Sequence, residues 1–219
     1  MRPLDTHKPP TEIFRVARKP DPWQPPDWSR ANSDGTFGNR FDDPAGYYRV
    51  LYAASQQVSC FIETLARFRS DLTLRAELSE IEGEDDFVPL GEVPLAWCDQ
   101  RLVGTASADG DYAGIYSSAW IAHLRPKLAD ECLRLGLQEL DAAVLQNAAP
   151  RRISQLASRQ AYELGFAGIY YRSRYGHDLE NWAIFEPFRI HPTGSQAIHS
   201  STEALLKALE ILGLKLSRR

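Results

Sequence analysis

Between residues 20 and 26 the chain carries Pro20, Pro22, Pro25 and Pro26. Each proline removes a backbone donor and locks one dihedral, so this stretch can be neither a helix nor a central strand. Trp23 and Trp28 fall in the same stretch, and indoles need an apolar surface to cover. An ordered loop lying on a structured domain is expected here, not a linker between domains. At 219 residues the chain is long enough for one domain with its own core.

Around that loop the apolar pattern is regular. Residues 13–18 and 47–53 read as strands. A helix is expected from a cap at Ser55 to about Phe68, with Val58, Phe61, Ile62 and Leu65 on its apolar face. Residues 71–105 read as short strands and turns, with a solvated acidic loop at 82–86. A helical stretch at 116–135 carries Pro126, which predicts a kink or a break. Residues 151–164 form a helix closed by Gly165. Strands at 168–173 and 182–185 follow, joined by a polar loop. A last amphipathic helix, capped near Ser201, presents Leu205, Leu206, Leu209 and Leu212. The organisation expected is a loose arm at 1–12, a domain at 13–190 and an extension at 191–219. Strands at both ends with helices between them make the fold class a single mixed α+β domain.

Several function classes drop out. A net charge of −4 argues against a nucleic-acid scaffold, which usually shows a basic face, although local basic clusters stay open; direct nucleic-acid binding is not expected. No apolar run is long enough to span a bilayer, and residues 1–12 lack the apolar core of a signal peptide. Cys60, Cys98 and Cys132 are odd in number and have no metal-ligand spacing, which suits buried free thiols in a cytoplasmic protein. The common nucleotide-loop, zinc-protease and serine-hydrolase motifs are absent.

A few polar side chains stand out on these elements. Arg15 interrupts the first strand and would need an anionic partner. Arg40 follows the turn-prone pair Gly38-Asn39, where backbone can approach a ligand. Tyr52 ends a strand and could stack on a planar ring or simply belong to the core. Glu63 lies close to the buried face of its helix, where it would pair with Arg67 or serve a site. Ser173 sits among arginines at a strand end, where a hydroxyl often just satisfies backbone groups, and Asn181 begins the last strand, where its alternative role is to shape the turn. His177-Asp178 falls in a polar loop with no nucleophile nearby, and Arg151-Arg152 at a helix start reads as a solvated pair.

Taken together these residues resemble the RES domain family. The resemblance is carried by Phe14-Arg15-Val16, Gly38-Asn39-Arg40-Phe41-Asp42, Leu51-Tyr52-Ala53-Ala54 and Glu63. It resumes in the run from Gly165 through Ser173 and in Asn181-Trp182-Ala183-Ile184-Phe185. It implies a fold similar to ADP-ribosyltransferase toxins, with a split mixed sheet around an NAD cleft. It also implies degradation of NAD⁺ by hydrolysis or phosphorolysis, and control by a helix-turn-helix antitoxin. Carried over residue by residue, Glu63 and Arg15 would be catalytic, while Arg40, Tyr52, Ser173 and Asn181 would bind substrate. NAD⁺ is then the substrate, with no separate cofactor and no metal. Transfer of ADP-ribose to a macromolecule and a non-catalytic nucleotide-binding module are the rival readings, and self-association is left open.

Overall fold

A computed structural model of the protein describes residues 3–69, 91–146 and 151–218. Residues 71–90 of the stretch expected to hold short strands and turns, with the acidic loop at 82–86, lie outside these residues. In chain order the elements are β1 (Thr6–His7), β2 (Ile13–Arg18), β3 (Val50–Ala54), α1 (Gln57–Leu65), β4 (Glu92–Pro94), α2 (Leu95–Asp99), β5 (Arg101–Ala108) and β6 (Tyr112–Ala113). They continue with α3 (Ser118–Arg134), α4 (Ala142–Gln146), α5 (Arg151–Glu163), β7 (Gly168–Ser173), β8 (Gly176–Phe185), β9 (Ile190–Ala197), α6 (Glu203–Leu212) and β10 (Lys215–Ser217).

Among the described residues eight strands make one mixed sheet in the order β1-β6-β7-β8-β3-β2-β5-β9, and β10 pairs with β4 in a second small sheet. Side chains alternate across each strand, so the register sorts residues into two faces. Tyr52 lies opposite Ala183, and Ala54 opposite Asn181. Tyr171 is also opposite Asn181. These residues therefore share one face of the sheet. Two apolar clusters cover that same face side by side. One gathers α3, α4 and α5 over Ile169, Ala183 and Phe185. The other places α1 and α6 over Val16, Ala54 and Val103. The residues of interest lie along the seam between them.

The sheet itself is split at this seam. β2 and β3 are joined through a single residue pair, Phe14 with Ala54. β2 pairs along its whole length with β5 instead.

The opposite face carries Ile13, Ala53, Tyr170, Trp182 and Ile184, and Trp23 packs among them. Gly104 makes this packing possible: a Cβ there would stand 2.6 Å from Pro22 Cγ and 2.7 Å from Trp23 Nε1. The proline loop thus covers the back of the sheet and neither lines nor closes the seam.

The structure revises several local expectations. The arm is docked, because β1 pairs with β6 and the Asp5 carbonyl accepts a hydrogen bond from Trp120. β3 begins at Val50, three residues later than expected. Ser55 is not the cap of α1, whose first residues have no side-chain cap, because its hydroxyl is engaged by the Trp182 indole. Pro126 sits inside one helix, α3; both it and Ala122, whose carbonyl it leaves free, are exposed, so water can satisfy that group. Residues 190–197 belong to the main sheet through β5, not to an appended extension. Thr202, not Ser201, precedes α6. Gly165 ends α5 as expected, at φ 85°.

Candidate functional site

The segment from Phe37 to Asp43 is held over the seam from both ends. Within it, the Asp42 carboxylate accepts hydrogen bonds from the backbone N–H groups of Phe37 at 2.9 Å and Asn39 at 2.7 Å. α5 grips its outer edge with small polar side chains. The Ser154 hydroxyl donates to the Arg40 carbonyl, Ser158 to the Phe41 carbonyl, and the Gln155 amide to the Asn39 carbonyl. On the sheet side the Tyr52 hydroxyl accepts from Phe41 N–H at 3.1 Å. Tyr52 is therefore a support for this segment as well as a wall of the seam.

That support aims Arg40. Its guanidinium lies 5.9 Å from the ring centres of both Phe41 and Tyr171, within the range of cation–π attraction. Burial pulls its pKa down. The neighbouring phenols of Tyr116 and Tyr171 and the Glu63 carboxylate outweigh this and hold it above its ordinary value.

Glu63 stands on the exposed side of α1, not near the buried face, because Phe61, Ile62 and Leu65 take the core-facing positions. Arg67 is not its partner and lies over Phe68. The partners come from 110 and more residues downstream. Ser173 Oγ donates to Glu63 Oε1 at 2.6 Å, and Asn181 Nδ2 donates to the same oxygen at 3.4 Å. Asn181 is itself fixed by the Ser59 hydroxyl at 2.9 Å. One carboxylate oxygen is thus engaged, and Oε2 makes no hydrogen bond to a described residue.

Arg15 differs most from expectation. Its partners are backbone carbonyls: Nε donates to Pro22 at 2.8 Å and Nη1 to Tyr52 at 2.7 Å. The side chain fills the opening where β2 and β3 part and ties the proline loop to the seam. No described carboxylate pairs with it or with Arg40. Burial accordingly pulls the Arg15 guanidinium down to about 10, although Cys60 and Tyr52 oppose the shift. A buried cation without a counter-ion is costly, and an anion brought alongside would relieve it.

These groups surround a recess of about 60 Å³ whose walls include Arg15, Tyr52, Glu63, Tyr171 and Asn181. Four of the six residues singled out from sequence, Arg15, Tyr52, Glu63 and Asn181, line the recess; Arg40 lies 5.9 Å from the centre of the Tyr171 ring in its wall, and Ser173 is hydrogen-bonded to Glu63. Tyr171, Ser59 and Tyr116 were not foreseen. Tyr171 lies inside the run that carried the resemblance, but only the β7–β8 register shows which way it faces. Cys60, also in the wall, is the inert thiol expected: it donates to the Phe14 carbonyl, and burial pushes it up to about 12. The other candidates stay apart. His177 and Asp178 are exposed, while Arg152 pairs with Glu131 on α3. Among the described residues no cluster could hold a metal ion, and no helix is long and apolar enough to cross a membrane.

The split mixed sheet with helices over one face is a single α+β domain. The family model for the RES domain matches residues 12–202, and the chain belongs to that family. Its fold is similar to a chain in the crystal structure of the M. tuberculosis MbcT–MbcA toxin–antitoxin complex. The TM-score is 0.54 at 11% identity, over 95% of this chain and 92% of that one. No curated protein sequence matches.

Proposed function

We propose that the protein is a RES-type NAD⁺ glycohydrolase or phosphorylase, a toxin restrained by an antitoxin protein. The observation that carries this reading is the juxtaposition of Arg15 and Arg40, both without acidic partners among the described residues, with the Glu63 carboxylate anchored through one oxygen. Two such cations suit the diphosphate of a dinucleotide, since each guanidinium can donate paired hydrogen bonds. The recess admits one small group, so the remainder of NAD⁺ would lie along the open face past Glu63.

Cleavage breaks the bond between ribose C1′ and the nicotinamide nitrogen, and the electron pair leaves with neutral nicotinamide. An oxocarbenium-like centre develops at C1′. Glu63 Oε2 would stabilise that charge, while Ser173 and Asn181 hold Oε1. Water or phosphate then bonds to C1′, giving ADP-ribose or its 1-phosphate. With water, one proton is released. The fold it shares with a chain of a toxin–antitoxin complex supports a protein antitoxin as partner.

The test is nicotinamide release from NAD⁺ by the purified protein, with and without phosphate, beside Glu63→Gln. Release that falls about 10²-fold or more in the variant supports this role. Equal release by both proteins removes Glu63 from the mechanism. ADP-ribose attached to protein or nucleic acid, in place of free product, would mark a transferase.

A further inference from the structure

Asn181 touches two positions of one helix. Its Oδ1 accepts from the Ser59 hydroxyl at 2.9 Å, and its Nδ2 donates to Glu63 Oε1 at 3.4 Å. Ser59 and Glu63 are one turn apart on α1, where side chains four residues apart stand on the same side. Asn181 lies on β8 opposite Ala54 of β3 and Tyr171 of β7, so it reaches α1 from the middle of the sheet. Ser59 and Asn181 are 0% and 1% exposed, beside the apolar contact to which Ala54, Phe61, Ile62 and Leu65 belong.

A buried polar pair beside such a contact is costly unless both members are satisfied. Ser59 is not tied to this partner by its helix. A helical serine or threonine can turn its proton back to the carbonyl four residues earlier, as Thr64 on α1 does toward Cys60. Ser59 gives its proton to Asn181 instead.

That choice has a direction. An ionised carboxylate only accepts, so Nδ2 must face Glu63, and Oδ1 is left needing a donor. A contact of 3.4 Å is long for a hydrogen bond and cannot hold the amide by itself. The shorter bond from Ser59 fixes it. Turned over, the amide would present Oδ1 to the carboxylate and repel it.

We propose that Ser59 is a positioning residue for the cleavage step. It sets the Asn181 amide, which helps to hold Glu63 through Oε1 and leaves Oε2 free for the substrate. The role rests on the reading of Glu63 given above and extends it to a residue outside the recess, whose walls include Asn181 and Glu63 but not Ser59.

The experiment is steady-state nicotinamide release from NAD⁺ by wild type, Ser59→Ala, Ser59→Cys, Asn181→Ala and the Ser59→Ala/Asn181→Ala double variant, with a thermal melt of each. Ser59→Ala should lower kcat about 5-fold and leave KM little changed. Ser59→Cys keeps a weaker donor at the same place, so its kcat should fall between the two. On the Asn181→Ala background Ser59→Ala should have little further effect on kcat, because both act on one carboxylate. A hydroxyl with a merely structural role would lower the melting temperature and leave kcat of the folded protein at the wild-type value, which overturns the proposal. An undiminished kcat loss on the Asn181→Ala background also overturns it, since Ser59 would then act by another route. Wild type that releases no nicotinamide sinks the NAD⁺ reading and this role with it, whereas an active wild type matched by Ser59→Ala sinks the role of Ser59 alone.

Discussion

Ser173 Oγ donates a 2.6 Å hydrogen bond to Glu63 Oε1, linking the end of β7 to the exposed side of α1. Ser173 is buried and also accepts from Tyr175 N–H, so its proton is committed to the carboxylate. The serine orients the glutamate.

Ser173→Ala should therefore reduce kcat for nicotinamide release about 10-fold and leave KM little changed, the effect of one lost charge-assisted hydrogen bond. Steady-state kinetics at saturating NAD⁺ check this. Complete loss of activity in a folded Ser173→Ala protein would contradict this purely orienting role.

Arg15 predicts a pH dependence. Its folded-state pKa is lowered by burial to about 10, below its unfolded value, so the cation is present in the folded protein below pH 10 and lost above it. Affinity for ADP-ribose should fall as pH rises through about 10, earlier than an exposed arginine would allow. Loss of that charge relieves desolvation and does not itself destabilise the ligand-free fold. Titrations between pH 8 and 10.5, with circular dichroism at each pH, separate lost binding from unfolding. A flat affinity across that range in folded protein would show that Arg15 carries no ligand charge.

The support beneath the Arg40 segment can be weakened without touching the seam. Ser158 is fully buried, donates to the Phe41 carbonyl and shares a hydrogen bond with the Tyr48 hydroxyl. Ser158→Ala leaves both groups short of a partner and should cost about 2–3 kcal/mol in urea unfolding. ADP-ribose affinity should drop with it, because Arg40 loses its fixed backbone. A variant of unchanged stability would contradict the buried network.

Gly104→Ala tests the placement of the proline loop. The added Cβ would collide with Pro22 and Trp23, and expelling them also removes the Pro22 carbonyl from Arg15. A stability loss of about 1–3 kcal/mol is expected, together with a red-shifted tryptophan emission as Trp23 meets water. If melting temperature and emission both match wild type, the loop does not pack there.

Much of the fold was legible because burial imprints a local period. The α5 and α6 helices and the β7 strand follow the apolar spacing of their own residues, and Gly165 marks a helix end through its own backbone freedom. Errors gathered where a nearby residue had a distant employer. Ser55 resembles a helix cap in isolation, yet its hydroxyl serves Trp182. Residues 190–197 carry no apolar alternation, being almost wholly exposed, and only their pairing with β5 makes them a strand.

For the site, the chain by itself determined which residue types would be at stake: two arginines, a glutamate, a tyrosine, a serine and an asparagine, in a recognisable order. It also determined that the proline stretch would be an ordered loop. Tertiary structure alone decided their duties. The parting of β2 and β3 directs Arg15 to two carbonyls, the β7–β8 register turns Tyr171 and Asn181 to one face, and the proline loop goes to the other. Glu63 has its partner 110 residues away, not four. The physical reason is that periodicity records how much of a side chain is buried, whereas partners are chosen by strand register and helix docking between segments far apart in sequence.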